Sequence, residues 1–432
     1  MKILHTSDWH LGRALYGRKR TAEFEHFLDW LLKTITQEHV DILLVAGDVF
    51  DTGTPGNTAQ ALYYRFLHRV AASCCRHVVI IAGNHDSPSF LNAPRELLKA
   101  LDVHVVGSPA EGLGNALGDE LRDELLVLHD AESNPEMIVC AVPYLRDRDI
   151  RTAEAGESIA DKERKLIEGI RNHYAGIVSL ARQKQAALGA DLPVVAMGHL
   201  FTAGGKTVEG DGVRELYVGS LAHVAANIFP DDLAYVALGH LHVPQQVGDS
   251  GSVRYSGSPL PMGFGEAKQQ KSVVIVEFFS PETANGAQSN EQTAGWRERS
   301  LIKLVPVPVF QKLERIQGDL TQILSRIREL AENDTQVWLE VIYEGDTVAA
   351  AGGLRQHLDE AVSGTQLDIL CVKNSRAMNR AMHRTCEQET LDDLNVRDVF
   401  ARCLAVHGVP QAQQPELIAA YDEIVHALYA TD

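Results

Sequence analysis

One pattern limits the folds open to this chain more than any other. Short apolar runs rich in β-branched residues end, five times over, in a tight cluster of Asp, Asn and His. Ile3 to His5 leads into Asp8-Trp9-His10, and Ile42 to Ala46 into Gly47-Asp48-Val49-Phe50-Asp51. Val78 to Ala82 leads into Gly83-Asn84-His85-Asp86, Val194 to Met197 into Gly198-His199, and Tyr235 to Leu238 into Gly239-His240-Leu241-His242. Runs of this length and composition read as buried strands. Between the first two lies a helical period, Phe24, Phe27, Leu28, Leu31, Leu32 and Ile35, with Thr21 as its N-cap. Leu62, Phe66, Leu67 and Val70 give a second helix before the third run. Strands alternating with helices predict a layered α/β domain whose strand-end loops carry the chemistry.

From about Tyr217 the strands come closer together: Tyr235 to Leu238, Val253 to Ser256, Ser272 to Phe278. They predict a second sheet packed on the first, a β-sandwich flanked by helices. Ser280 to Gly295 is poor in large apolar residues and reads as a linker. After it come strand Leu301 to Val309, helix Leu313 to Leu330, strand Val337 to Tyr343, helix Leu354 to Val362 and strand Leu367 to Val372, enough for a small α/β domain. Two amphipathic helices follow, one through Leu391, Leu394, Val399, Phe400 and Leu404, the other through Leu417, Ile418, Tyr421, Ile424, Val425 and Leu428. The expected division is 1–280, a linker 281–300, a small α/β domain 301–375 and a helical segment 376–432.

Composition excludes several classes. With 45% hydrophobic and 23% charged residues the chain is ordinary for a globular protein. No apolar run approaches the roughly 18 residues of a membrane span. The first motif begins at Asp8, where a cleaved leader would destroy it, so a cytoplasmic location is expected. Six cysteines without a CxxC pair are expected to stay reduced. A net charge of −18 argues against a chain that holds nucleic acid through basic surface of its own.

The donors in the five motifs are Asp, Asn and His without Cys, a set suited to Mn²⁺, Fe²⁺, Zn²⁺ or Mg²⁺. Glycine before four of the five lets the backbone turn sharply there. Two ions about 3.5–4 Å apart, sharing a carboxylate, would activate water and neutralise charge on a phosphoryl group, with a histidine protonating the leaving oxygen. A lone Asp-x-His or Gly-His is more often a surface or structural pair. Five motifs in order, each after a strand, do not coincide by chance.

This ordered set resembles the calcineurin-like metallophosphoesterase superfamily, whose signature runs D-x-H, G-D-x-x-D, G-N-H-[DE], G-H and G-H-x-H, every element intact here. The resemblance implies a four-layer αββα sandwich followed by a small α/β capping domain and C-terminal helices. It places Asp8, His10 and His242 on one metal and Asn84, His199 and His240 on the other, with Asp48 bridging. It makes His85 the acid and Asp86 the residue that orients it, with Asp51 supporting the ligands from behind. Longer matches, Met1 to Gly12, Asp231 to Gln245 and Tyr255 to Pro259, are similar to the SbcD family, nuclease subunits of bacterial SbcC–SbcD complexes. That implies 3′→5′ exonuclease action on duplex DNA, endonuclease action on single strands and hairpins, Mn²⁺ as activator, an SbcC-type ATPase partner in a two-plus-two assembly, and a homodimer with Ala59 to Val70 among its candidate surfaces.

Two groups stand open between roles. Arg13, Arg18, Lys19 and Arg20 are either phosphate contacts or a solvated loop, and Tyr255, Ser256 and Ser258 either line the cleft or close a turn. The C-terminal helices cover either the small domain or, as the resemblance implies, the partner's coiled coil. The competing enzyme is a phosphoesterase for small substrates such as cyclic nucleotides, which has no need of the region past Gly295. A protein phosphatase would carry Arg and Glu where this chain has Thr52 and Asp86.

Overall fold

The computed structural model describes residues 1–109, 123–151, 157–202, 228–248, 251–279, 295–332, 335–345, 353–374 and six helical positions between 400 and 421. Contacts divide the chain into two units, Met1–Lys312 and Leu313–Asp432.

In the first unit the predicted strands form where the apolar runs lie: β1 (Lys2–Thr6), a β2–β3 hairpin (Ala14–Leu15, Arg18–Lys19), β4 (Ile42–Ala46), β5 (His77–Ile81) and β6 (Val103–Val106). Later come β7 (Leu125–His129), β8 (Pro135–Ala141), β9 (Val194–His199), β10 (Tyr235–Gly239), β11 (Gln245–Gln246), β12 (Val253–Tyr255), β13 (Ser272–Phe278) and β14 (Ser300–Pro306). One sheet has the order β14-β13-β1-β4-β5-β6, the other β11-β12-β10-β9-β8-β7.

The strand Ser272–Phe278 does not join the second sheet with its sequence neighbours. It pairs antiparallel with β1, Lys2 opposite Glu277, and β14 follows it as the outer strand. The strand expected at Leu301 to Val309 thus belongs to the first sheet and not to the small domain. The reason is burial: Val274 and Val276 fill the layer between the sheets, while Val273 and Ile275 face the helices.

Three apolar layers hold the unit. Ile3, Ile42, Leu44, Val79, Val139, Val195 and Tyr235 lie between the sheets. Phe24, Phe27, Leu31, Leu62, Phe66 and Val70 pack helices α1 (Thr21–Glu38) and α2 (Asn57–Ala71) on the first sheet. Tyr174, Ile177, Val178 and Ala181 pack the long helix Ile159–Leu188 on the second. The order is helix, sheet, sheet, helix, the four-layer sandwich expected. Thr21 begins α1 instead of capping it, since the N-cap position falls on Arg20. The apolar side of α2 is spent on this core.

In the second unit β15 (Lys312–Gly318), β16 (Val337–Tyr343) and β17 (Leu367–Asn374) make a sheet. Helices Leu320–Ala331 and Leu354–Val362 bury Ile323, Ile327, Leu330 and Leu358 with Val337, Leu339 and Ile369. The C-terminal helical segment and the linker lie largely outside the described residues; Phe400 and Tyr421 are helical and stack at 4.0 Å. No helix among the described residues is long and apolar enough to cross a membrane. Cys74, Cys75, Cys140 and Cys371 are free thiols.

Candidate metal centre

All five motifs leave their strands at the carboxyl ends of the parallel strands β1, β4, β5, β9 and β10, the edge where open α/β sheets bind ligands. The first loop is pinned from below. Trp9 is fully buried, donates its indole N–H to Thr6 Oγ1 at 3.0 Å, and meets Phe27 and Phe66 edge-on. That leaves Asp8 and His10 on the opposite side, both in left-handed backbone (φ 53 and 48). Asp48 (φ 49) and His240 (φ 99) share this unusual conformation. Four of the eight described non-glycine residues with positive φ thus sit in one site, and strain concentrated this way marks function.

The glycines act mostly through closeness. Gly47 does need its left-handed φ of 85. A Cβ on Gly239 would lie 1.8 Å from the Ala46 carbonyl, so that residue is what lets the second sheet's loop pass against the first sheet's. Backbone bonds stitch the loops together: Asp8 N to Gly47 O at 3.0 Å and His10 N to Asp48 O at 3.0 Å.

The donors converge as two overlapping groups. Ligand atoms of Asp8, His10 and His242 lie within 4.8 Å of one another, and so do those of Asp8, Asp48 and His199. His10 Nε2 stands 3.2 Å from His242 Nε2 and 3.6 Å from Asp48 Oδ2. Asn84 Oδ1 is 3.0 Å from both His199 Nε2 and His240 Nδ1. His199 Nδ1 donates to the Ala46 carbonyl at 2.9 Å, so its Nε2 faces Asp48 Oδ2, 3.3 Å away, and Asn84 Oδ1. Carboxylate and amide oxygens and imidazole nitrogens buried this close together need a proton or a cation between them, and the residues present fit divalent metal.

The charges agree. Burial alone would push the His199 imidazole down, but the Asp48 carboxylate beside it holds it up near 9. Burial also opposes ionisation of Asp48, and His199 and then His10 outweigh it, keeping this carboxyl ionised. Burial, then repulsion from His199, presses His240 down to about 3, leaving it a neutral donor.

The support of His85 differs from expectation. His85 Nδ1 donates to the Asp51 carbonyl at 2.8 Å. Asp86, buried, turns away and accepts from Gly83, Val49 and Phe50 N–H at 2.9–3.1 Å, tying the second and third motifs together. Burial, and then the Asp48 charge, raise its carboxyl to about 6. The Asp51 carboxylate stands behind the ligands, 3.3 Å from His10 Nδ1 and 3.1 Å from Arg13.

Arg20 is no loop cation: 2% exposed, it forks onto the Glu23 carboxylate and the Pro261 carbonyl. Arg18 and Lys19 are exposed on the β2–β3 hairpin. Tyr255, Ser256 and Ser258 are buried and do not line a cleft. The Tyr255 hydroxyl donates to Leu200 O and accepts from Thr202 N; Ser256 Oγ meets Ser7 Oγ at 2.8 Å; Ser258 Oγ donates to Leu260 O.

Three residues carry no sequence signal of their own. Ser7 Oγ donates to Asp8 Oδ2 at 2.5 Å. Glu266, fully buried, sets a carboxylate oxygen 3.5 Å from His242 Nδ1, and buried Lys271 pairs with that carboxylate and donates to the His242 carbonyl at 2.8 Å.

A buried Asp–Asn–His cluster astride the carboxyl edges of two stacked sheets defines a two-metal phosphoesterase. The calcineurin-like phosphoesterase profile matches residues 1–244, and a profile described as the type 5 capsule protein repressor C-terminal domain matches 309–407. The SbcD subunit of the SbcCD nuclease from Escherichia coli K12 is 34% identical over 435 residues, 99% of this chain and 98% of the relative. Its counterparts from Rhodobacter capsulatus and Bacillus subtilis are each 36% identical, over 77% and 79% of both chains. The chain belongs to the calcineurin-like phosphoesterases and, within them, to the family of SbcD nuclease subunits.

Proposed function

We propose that this chain hydrolyses DNA phosphodiesters as the nuclease subunit of an ATP-driven complex serving DNA repair, replication and recombination. It acts as a 3′→5′ exonuclease on duplex ends and an endonuclease on single strands and hairpins. The observation that carries the reading is the intact donor set: seven residues, none replaced, gathered where the carboxyl edges of two stacked sheets meet, in a chain 34% identical to a named nuclease over nearly its whole length.

In this reading Asp8, His10 and His242 hold one ion, Asn84, His199 and His240 the other, and Asp48 both. Mn²⁺ is the activating metal. When bound, the ions supply Lewis acidity at the phosphoryl oxygens and an acidified water. The protein does the rest. The Asp51 carbonyl fixes His85 through Nδ1–H, which leaves Nε2 as the nitrogen that, in the imidazolium form, passes its proton to the departing oxygen. Glu266 and Asp51 keep the His242 and His10 rings in place. Arg18 and Lys19 on the hairpin contact phosphates, which position DNA without reading its sequence. An SbcC-type ATPase, two copies to two of this chain, supplies the basic surface that a net charge of −18 lacks. The helical segment from about Arg376 docks on its coiled coil.

The test is Mn²⁺-dependent cleavage of an end-labelled hairpin and a linear duplex by the chain and by His85→Ala, with and without the ATPase. Cleavage by the wild type, abolished in a variant that still binds Mn²⁺, is the expected result. Hydrolysis of a small phosphodiester with neither DNA cut, even beside the ATPase, would sink the DNA assignment and spare the metal centre.

A further inference from the structure

A second cluster of metal-type donors sits at the other end of the first sheet. His77 opens β5 and His104 is the second residue of β6. Parallel pairing sets Val79 beside His104, and strand alternation puts His77 on the same face as Val79. The two imidazoles therefore leave the sheet together, ring centroids 5.8 Å apart. Asp102, just before β6, has left-handed backbone (φ 55). One donor atom from each of the three lies within 4.8 Å of the others.

The protons settle what this cluster wants. His77 Nε2 is 2.8 Å from the His129 carbonyl, which can only accept, so Nε2 carries a hydrogen and Nδ1 is the nitrogen open to a cation. That nitrogen faces the Asp102 carboxylate at 3.9 Å. His77 is only 9% exposed, and among the described residues neither its Nδ1 nor His104 Nε2, both buried, has a hydrogen-bond partner. Burial presses the His104 imidazole down to about 4, so at neutral pH it is uncharged. Two imidazole nitrogens, each buried without a hydrogen-bond partner, converge beside a carboxylate, an arrangement that burial penalises and a cation relieves. A carbonyl on the far nitrogen of a histidine is the usual support of a metal-bound imidazole.

We infer that His77, Asp102 and His104 form a third divalent-cation site, separate from the catalytic pair, which takes Zn²⁺ through two nitrogens and one carboxylate oxygen. The donor set suits Zn²⁺ above Mg²⁺ or Ca²⁺, which prefer all-oxygen shells. At about 3.3 Å per residue the site lies about 20 Å along the strand from Asn84, too far to touch a bound phosphate. Its work is to fasten β5, β6 and, through His129, the end of β7 where the two sheets meet.

The experiment counts metal. The full chain, stripped with chelator and dialysed against micromolar free Zn²⁺, is compared by atomic emission with Asp102→Asn and His104→Gln. Asp102 has a 66% exposed side chain and Asn tolerates left-handed backbone, so the first variant folds. Wild type is expected to hold one equivalent more than each variant, or to need at least ten-fold less Zn²⁺ to fill it, with Mn²⁺-dependent cleavage unchanged. Equal Zn²⁺ content and equal affinity in wild type and Asp102→Asn would overturn the site, whatever His104→Gln does.

Discussion

Replacing Glu266 with Gln tests how the centre is braced. The carboxylate is fully buried, accepts from Met262 N at 3.0 Å, pairs with the Lys271 ammonium and faces His242 Nδ1. Gln keeps the shape and removes the charge. Lys271 is then a buried cation left with neutral acceptors, the His242 carbonyl at 2.8 Å and Ser258 Oγ at 3.1 Å. Breaking a buried pair from one side costs about 3–5 kcal/mol, and these acceptors, with Gln269 Oε1 at 3.4 Å, place this case near 3. Lys271→Met strands the carboxylate at a similar cost. The double variant removes both charges and should cost at least about 2 kcal/mol less than the sum of the singles. Because His242 also loses its brace, Mn²⁺ affinity should fall about 10- to 100-fold in Glu266→Gln. The chain's tryptophans are Trp9, Trp30, Trp296 and Trp338, and only Trp338 lies in the second unit. Denaturant unfolding in a Trp338→Phe background, in chelator, therefore reports the first unit, with calorimetric Mn²⁺ titration beside it. Strictly additive single costs, or unchanged Mn²⁺ affinity in Glu266→Gln, would refute the reasoning.

Three further outcomes follow from the same geometry. Burial holds His5 near 3, although a backbone contact at Leu238 opposes it, so below an unfolded value of about 6.5 only the unfolded chain takes up that proton; stability should fall by up to about 1.4 kcal/mol per pH unit from 6.5 down toward 3, and His5→Leu should flatten this limb in a series of denaturation midpoints. Asp86→Asn turns an acceptor into a donor aimed at backbone N–H groups, which should destabilise the unit by about 1–3 kcal/mol and weaken Mn²⁺ binding through the displaced Asp48 and Asn84 loops, an outcome that unaltered melting and titration curves would contradict. Gly239→Ala drives a methyl into the Ala46 carbonyl and should separate the two halves of the centre, so that a variant with wild-type cleavage rates would show the close approach to be dispensable.

The strands and donors were legible because each motif sits where an apolar run ends, and parallel strands bring such ends to one edge. The role of the glycines was half legible: only Gly47 needs its unusual φ, whereas Gly239 is small because another loop presses on it, which no single-chain spacing reveals. Partnerships across long separations were not legible. Ser272–Phe278 follows three second-sheet strands yet returns to β1, because hydrophobic content marks a strand without saying which edge it completes. Arg20 looked like part of a basic loop with Arg18 and Lys19 until Glu23, one helical turn on, was seen to hold it. Tyr255, Ser256 and Ser258 looked available because they are polar, but Leu200, Ser7, Leu260 and Lys271 satisfy them inside the unit. Glu266 sits in no motif, and its meaning comes only from Lys271 and His242.

The return of β13 to β1 has a consequence for how the chain is made. Lys2 pairs with Glu277, so a strand made early in this sheet waits for one made about 270 residues later. At about 5–20 residues per second that interval is roughly 15–55 s. Throughout it β1 presents an apolar, unpaired side, and a ribosome stalled between the last donor, His242, and Ser272 would hold every donor of the centre in a nascent chain whose first sheet is still open along one edge.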